Sequence, residues 1–326
     1  MESDSDVCIS SLICGYWNIN GHSSKYLGDK LLDQEFINVV SECDIIGLGE
    51  IQSERDVDIP GFKRIKQKIR EKNSIGPKIA GGLGVFVREK FENLVELVPN
   101  SCDDSIWIRV KNEGIYIGTY YVSPQYSKSR DIEFSKTLNE EFLNFKEKGI
   151  VIVQGDLNAR TANNIDFVKS GKHYDSLEEE MDENDTISTD DPILRNSEDK
   201  ITNSRGKELL DLCMFNKLII MNGRKKGDIF GRYTCHNWNG SSVVDYFLTP
   251  LSFVDRVSYF SVGDFIPWLS DHCIIKAKIL LMDKYASTAT SEETSEVHPG
   301  FLWNETSISN YRTNLQGVLW REKYVI

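Results

Sequence analysis

Five short strings hold the side chains that could do chemistry: Trp17-Asn18-Ile19-Asn20-Gly21, Asp44-Ile45-Ile46-Gly47-Leu48-Gly49-Glu50, Gly155-Asp156-Leu157-Asn158-Ala159-Arg160, Val243-Val244-Asp245-Tyr246 and Leu269-Ser270-Asp271-His272. In each, an apolar run meets a carboxylate, a carboxamide or an imidazole. Strand ends and the loops after them are where a rigid scaffold presents functional groups. Taken singly, each string has an ordinary explanation. Asn-Gly makes a turn, a glutamate at a strand terminus is solvated, and an Asp-His pair is structural. If the chain is extended through Asp156 and Asn158, alternation points both to one side. Asp245 sits inside an apolar run, where an unpaired carboxylate is costly. A structural arginine would answer that cost, and so would His272, which Asp245 would hold charged and oriented. Ser270, Asp271 and His272 are adjacent and so do not make a hydrolase triad. Taken together, the strings supply carboxylates for a hard cation, an aspartate to activate water, and a histidine and an asparagine to stabilise an oxyanion. That is the equipment for metal-assisted hydrolysis of a phosphate ester. Oxygen ligands favour Mg2+, with Mn2+ as a substitute, over zinc.

The elements that must position these groups are legible as apolar runs of strand length at 12–17, 44–49, 83–87, 115–122, 150–154, 218–222, 243–248 and 273–281, with a further strand at 105–110 suited to a hairpin with 115–122. They are rich in Ile, Val and Tyr. Helical periodicity lies between some of them: Leu32, Phe36, Val39 and Val40; Phe134, Leu138, Phe142 and Phe145 within 131–147; and Leu209, Leu210 and Cys213 after Ser204, a predicted N-cap. This irregular interleaving predicts a mixed-sheet α/β sandwich over a pure βαβ array.

The residues resemble the endonuclease/exonuclease/phosphatase superfamily over about 12–282. Trp-Asn at 17–18, Glu50, Gly-Asp-Leu-Asn at 155–158, Val-Asp-Tyr at 244–246 and Ser-Asp-His at 270–272 fall in that family's order. The resemblance implies a four-layer α/β sandwich, two mixed sheets face to face with helices outside. It implies that Glu50 is the main metal ligand and Asp271 a second carboxylate near the metal. Asp156 would orient or deprotonate the attacking water, with Asn18 and Asn158 as hydrogen-bonders at the phosphate and metal. His272 would contact the scissile phosphate, with Asp245 as its partner, and Tyr121 would be the strand-end tyrosine. Whether one metal or two serve is left open.

Within the superfamily, Asn20 replaces the aspartate that abasic-site repair enzymes carry, and Ser242 replaces their pocket tryptophan. Asn-x-Asn-Gly, Asn203-Ser204-Arg205-Gly206, Tyr233-Thr234 and Ser242 ahead of Asp245 resemble instead the endonuclease domains of LINE-type non-LTR retrotransposons. That resemblance implies nicking of double-stranded DNA with a 3′-hydroxyl product, and a reverse transcriptase domain in a longer parent polyprotein. The expected DNA contacts are Arg160, Arg205, Thr234, Trp238, Ser242 and Ser270. The segment 235–240 is either a groove-probing hairpin or an ordinary polar one. Two alternatives stay open: an abasic-site nuclease or phosphatase of the same fold, and a decayed nuclease that only binds DNA or protein.

Composition sets the outer bounds. The 326 residues are 40% hydrophobic and 27% charged, which excludes a mostly disordered chain. No apolar run reaches membrane-span length, and the acidic N-terminus is not a leader, so the expected home is intracellular and nuclear. The seven cysteines are odd in number and form no CxxC pair, which argues for free thiols. Net charge is −12. Residues 174–199 hold eleven acids against one base, Arg195, and so carry nearly all of that excess. Residues 62–78 are basic and read as a phosphate-contacting segment, a solvated helix or loop, or a nuclear address. The expected organisation is a tail over 1–11, one domain over 12–282 with an acidic surface insertion at about 163–200 pointing away from the DNA, and a linker with appendage over 283–326.

Overall fold

The computed structural model describes residues 10–69, 81–124, 134–168 and 192–282. Two six-stranded mixed sheets dominate. The first runs, edge to edge, Val257–Val262, Ile275–Leu280, Ser11–Asn18, Ile45–Gly49, Leu83–Arg88 and Phe62–Lys68. The second runs Leu218–Ile220, Asp245–Pro250, Ile150–Asp156, Ile115–Tyr121, Ser105–Val110 and Val95–Val98. Each sheet has a single parallel pair at its centre: Ser11–Asn18 with Ile45–Gly49, and Ile115–Tyr121 with Ile150–Asp156. All other neighbours are antiparallel.

Strict alternation decides which face each side chain takes. In the strand at 150–156, Ile152 enters the core between the sheets while Val151 and Val153 pack outward against the helices Phe134–Lys146 and Ser204–Asn216. In the strand at 11–18, Leu12, Cys14 and Tyr16 face the inter-sheet core, and Trp17 faces out, stacked on Phe36 of the helix Gln34–Val40. Both central strands are buried on both faces, as helix-covered parallel strands are. The result is the expected four-layer sandwich.

Every predicted strand is present within a residue or two of its expected bounds. The third helix is capped by Asn203, not by the predicted Ser204: the Asn203 side-chain oxygen accepts from the Gly206 N–H at 2.7 Å. The basic segment departs further from expectation. Residues 62–68 form an edge strand, not a helix or loop. Lys63 and Lys66 point to solvent, Arg64 pairs with Asp56 and Asp58, and Lys68 donates to the Cys102 carbonyl at 2.6 Å. The flanks of the acidic segment also differ from a surface insertion. Asp166 is buried in an ion pair with Arg224 at 2.7 Å, and Asp199 is buried against Arg160 at 2.6 Å. Arg195 is buried too and donates to Thr161 Oγ1 at 2.7 Å. The remainder of that segment, residues 1–9, all of 70–78 and the expected linker and appendage at 283–326 lie outside the described residues.

Candidate active site

The two central parallel pairs end at the same end of the sandwich, and their last residues turn toward each other. Asn18, Tyr121 and Asp156 occupy inter-sheet positions, continuing the rows that hold Tyr16, Ile117 and Ile152. Asp245 faces Asp156 across the antiparallel ladder. The polar residues therefore cap the inter-sheet core. Asn18 Nδ2 donates to Asp156 Oδ2 at 3.0 Å and to Glu50 Oε1 at 3.2 Å, joining the two sheets. Tyr121 Oη donates to Glu50 Oε1 at 2.9 Å, and Gln52 Nε2 to Glu50 Oε2 at 3.0 Å. The Asn158 N–H donates to Asp156 Oδ1 at 2.9 Å. Asn158 Nδ2 is held by the Val122 carbonyl at 2.8 Å.

The histidine comes from the first sheet's loop. His272 Nδ1 lies 2.8 Å from Asp245 Oδ2, so two residues 27 positions apart make one of the two pairings that the apolar setting of Asp245 allowed. One ligand atom each from Asp156, Asp245 and His272 falls within 4.8 Å of the others. Around this centre the backbone is strained. Asn20, Glu50, Gln52 and Asn158 are non-glycine residues with φ of 45°, 49°, 51° and 47°. Such conformations each cost about 1–3 kcal/mol and gather where function over-determines them.

Electrostatics follow from burial. Burial, then repulsion from Asp245, pushes Asp156 up to about 8, against the opposing pull of His272 and the Asn18 hydrogen bond. Burial works against a charged His272, but the attraction and hydrogen bond of Asp245 hold its pKa well above the usual value. The site thus pairs a carboxylate that takes a proton readily with an imidazole that stays protonated.

Three residues that sequence reasoning missed complete the frame. Gln52 fixes the second oxygen of Glu50. Asn20, which in sequence marks only a departure from the repair enzymes, donates from Nδ2 to Asp271 Oδ1 at 3.0 Å. Lys30 is buried and donates to the carbonyls of Ile19, Asn20 and Leu269, at 2.9, 3.2 and 2.6 Å. It knots the loop after Asn18 to the loop before His272. A lysine in a polar stretch gives no sign of this in sequence.

The expected DNA contacts fare unevenly. Trp238 is 93% exposed, on the loop between the short strands Cys235–Asn237 and Gly240–Ser242, and Ser242 is partly exposed beside it. Thr234 and Ser270 are 0% and 3% exposed, so neither reaches a groove. Thr234 Oγ1 instead accepts from the Val244 and Asp245 N–H groups. Ser270 Oγ donates to the Asn18 carbonyl and accepts from the His272 N–H. Arg160 is clamped by two bonds to Asp199, and Arg205 is buried and donates to the Ser123 carbonyl. Their charges serve the frame of the site.

The donors at the mouth fit a hard divalent ion. Glu50 is partly exposed, and Asn18 and Asn20 link it to the partly exposed Asp271. These are oxygen donors, the set that suits Mg2+ or Mn2+.

The chain matches the Endonuclease/Exonuclease/phosphatase family over residues 15–272, and it belongs to that family. Its members are hydrolases of phosphoester bonds that work with a divalent metal. A comparison with curated protein sequences finds no significant match. Among solved structures the fold is similar to a 3′-5′ exonuclease, NExo, from Neisseria meningitidis, with a TM-score of 0.52 and 13% identity over 82% of this chain and 99% of that one. It is similar to a 3′ phosphatase form of NExo from Neisseria bound to a product DNA hairpin, with a TM-score of 0.51 and 15% identity over 82% and 99%. The endonuclease domain of TRAS1, a telomere-specific non-LTR retrotransposon, aligns with a TM-score of 0.49 and 15% identity over 83% and 99%. Among the described residues no helix is long and apolar enough to cross a membrane.

Proposed function

We propose that this protein is a Mg2+-dependent endonuclease that nicks double-stranded DNA, of the kind carried by LINE-type non-LTR retrotransposons, and that it leaves a 3′-hydroxyl. The observation that carries the chemistry is the convergence of Asp156 and the Asp245–His272 pair at the end of the sandwich that also presents Glu50. Asp156 takes the proton of the attacking water, a role suited to a carboxylate pushed up to about 8. Asn18 and the Asn158 N–H hold that carboxylate in one orientation. His272, kept protonated by Asp245, donates toward a phosphate oxygen as charge develops there. Glu50, with Asp271, would hold the metal, which supplies charge neutralisation on the phosphate. Tyr121 and Gln52 fix Glu50 for that task.

The choice of DNA target within the family rests on sequence features: Asn20, the Asn203-Ser204-Arg205-Gly206 string, and Ser242 in place of an abasic-pocket tryptophan. Trp238, exposed on its hairpin, supports a groove contact. Supercoiled plasmid provides the test. Open circles should form with Mg2+ and not with EDTA. Asp156→Ala and His272→Ala should each slow nicking by about 10²–10⁴-fold. Absence of nicking by folded protein, with turnover of a 3′-phosphorylated oligonucleotide or an abasic duplex, would replace the endonuclease by a phosphatase or repair enzyme of the same fold.

A further inference from the structure

We propose that Cys235, Asp271 and His272 form an inhibitory site, overlapping the catalytic one, for a thiophilic divalent ion, zinc being the prime candidate. The sequence spacing of these residues makes no metal motif, and the fold alone brings them together. One ligand atom of each, a thiol sulfur, a carboxylate oxygen and an imidazole nitrogen, lies within 4.8 Å of the other two. Zinc bonds of about 2.0–2.3 Å place neighbouring ligands roughly 3.3–3.8 Å apart, so a small closure of the partly exposed Asp271 suffices.

The frame holding the three is rigid. Cys235 and His272 face each other in an antiparallel bridge. Backbone bonds flank it on both sides: the His236 N–H to the Asp271 carbonyl and the Cys273 N–H to the Thr234 carbonyl, each 2.7 Å. Each ligand also has an outer partner. Asp245 binds His272 Nδ1 at 2.8 Å, which leaves Nε2 as the coordinating nitrogen once the ion displaces its proton, and that of the Cys235 thiol, to solvent. Asn20 Nδ2 holds Asp271 at 3.0 Å, and Asn237 Nδ2 donates to Cys235 Sγ at 3.8 Å. A carboxylate behind a histidine and an N–H aimed at a sulfur are the outer-shell supports that metal sites use. Three protein ligands with one open position give the coordination of an open zinc site.

Inhibition, which rests on the nuclease reading above, follows from sharing. An ion on His272 removes the proton donor for phosphate and draws Asp271 from the hydrolytic metal. The thiol sets the selectivity, since Mg2+ has little affinity for sulfur and zinc has much.

Metal binding is read separately from catalysis. Metal-free protein is titrated with Co2+ and followed by absorbance, then with zinc to displace it. Wild type is expected to give a thiolate-to-cobalt charge-transfer band at one equivalent. Cys235→Ser should lose that band, and Asn237→Ala should keep it with roughly tenfold weaker zinc binding. Micromolar-range zinc should then suppress Mg2+-dependent nicking by wild type, but not by Cys235→Ser. A wild-type spectrum without the thiolate band, or equal zinc affinity in Cys235→Ser, overturns the site. If the band forms but zinc leaves nicking intact, the inhibitory role is overturned. If the band forms in a protein with no nicking at all, the site stands and the nuclease reading fails.

Discussion

At the scale of single residues, the site turns on Asp156 and His272, whose hold on a proton is set by burial and by Asp245. Asp156, Asp245 and His272 are all buried, and one ligand atom of each lies within 4.8 Å of the others. The arrangement makes stability depend on pH. Asp156 binds its proton more tightly in the native state than in the unfolded chain, with a pKa of about 8 against 3.8. His272 likewise has a raised native pKa. Both stabilising contributions are complete below the unfolded pKa of each group, and both fade as pH rises through the native one. The metal-free protein is therefore expected to lose stability from about pH 4 to about pH 8 through Asp156, and further above about pH 6.5 through His272, by at most about 1.4 kcal/mol per pH unit for each proton released. Asp156→Asn cannot release its proton, so the slope of thermal midpoint against pH, measured in EDTA, should flatten. An unchanged slope would mean that Asp156 titrates normally.

At the scale of elements, the chemistry depends on how strands stop. Gly155, at φ 150°, lets the chain pass the Tyr120 backbone, where a Cβ would overlap the Tyr120 carbonyl oxygen, and this places Asp156 on the inter-sheet face. Lys30 does the corresponding work between loops. Lys30→Met removes the shared donor of three carbonyls, two of them in buried contacts, at a cost of about 2–4 kcal/mol. A lower urea midpoint at unchanged slope, together with a fall in kcat larger than any change in KM, is the expected result. Loss of stability with full activity would reduce Lys30 to a structural role.

Elements were legible from sequence where both faces are buried, because continuous apolar runs such as 44–49 and 150–154 have no other explanation. The strands at 62–68, 95–98 and 257–262 escaped, since an edge strand shows solvent a polar face and reads as a charged or mixed run. The same limit applied to Asp166, Asp199, Thr234 and Ser270. Their polarity suggests the surface, and only the folded chain supplies the partners that let them be buried.

At the scale of the whole molecule, the two sheets repeat one device, a central parallel pair whose carboxyl ends open on the same side. Open α/β sheets bind ligands at such ends. If the substrate is DNA, as proposed, delivering a polyanion there sets the negative charge of the chain against the reaction. Most of that charge lies at 174–199, and Asp199 within it is occupied by Arg160. Neutralising Asp175, Glu178, Glu179, Glu180, Asp182, Glu183, Asp185, Asp190 and Asp191 to Asn or Gln removes most of the excess and spares the Arg160 clamp. If the segment points away from the cleft, its field reaches DNA only where screening is weak. The Debye length is about 30 Å at 0.01 M salt and about 8 Å at 0.15 M. The neutralised chain is expected to bind duplex DNA roughly tenfold faster at 0.01 M, an electrostatic steering effect, and at the wild-type rate at 0.15 M. A gain that survives 0.15 M salt would place the acids within one screening length of the DNA, in the path of the substrate.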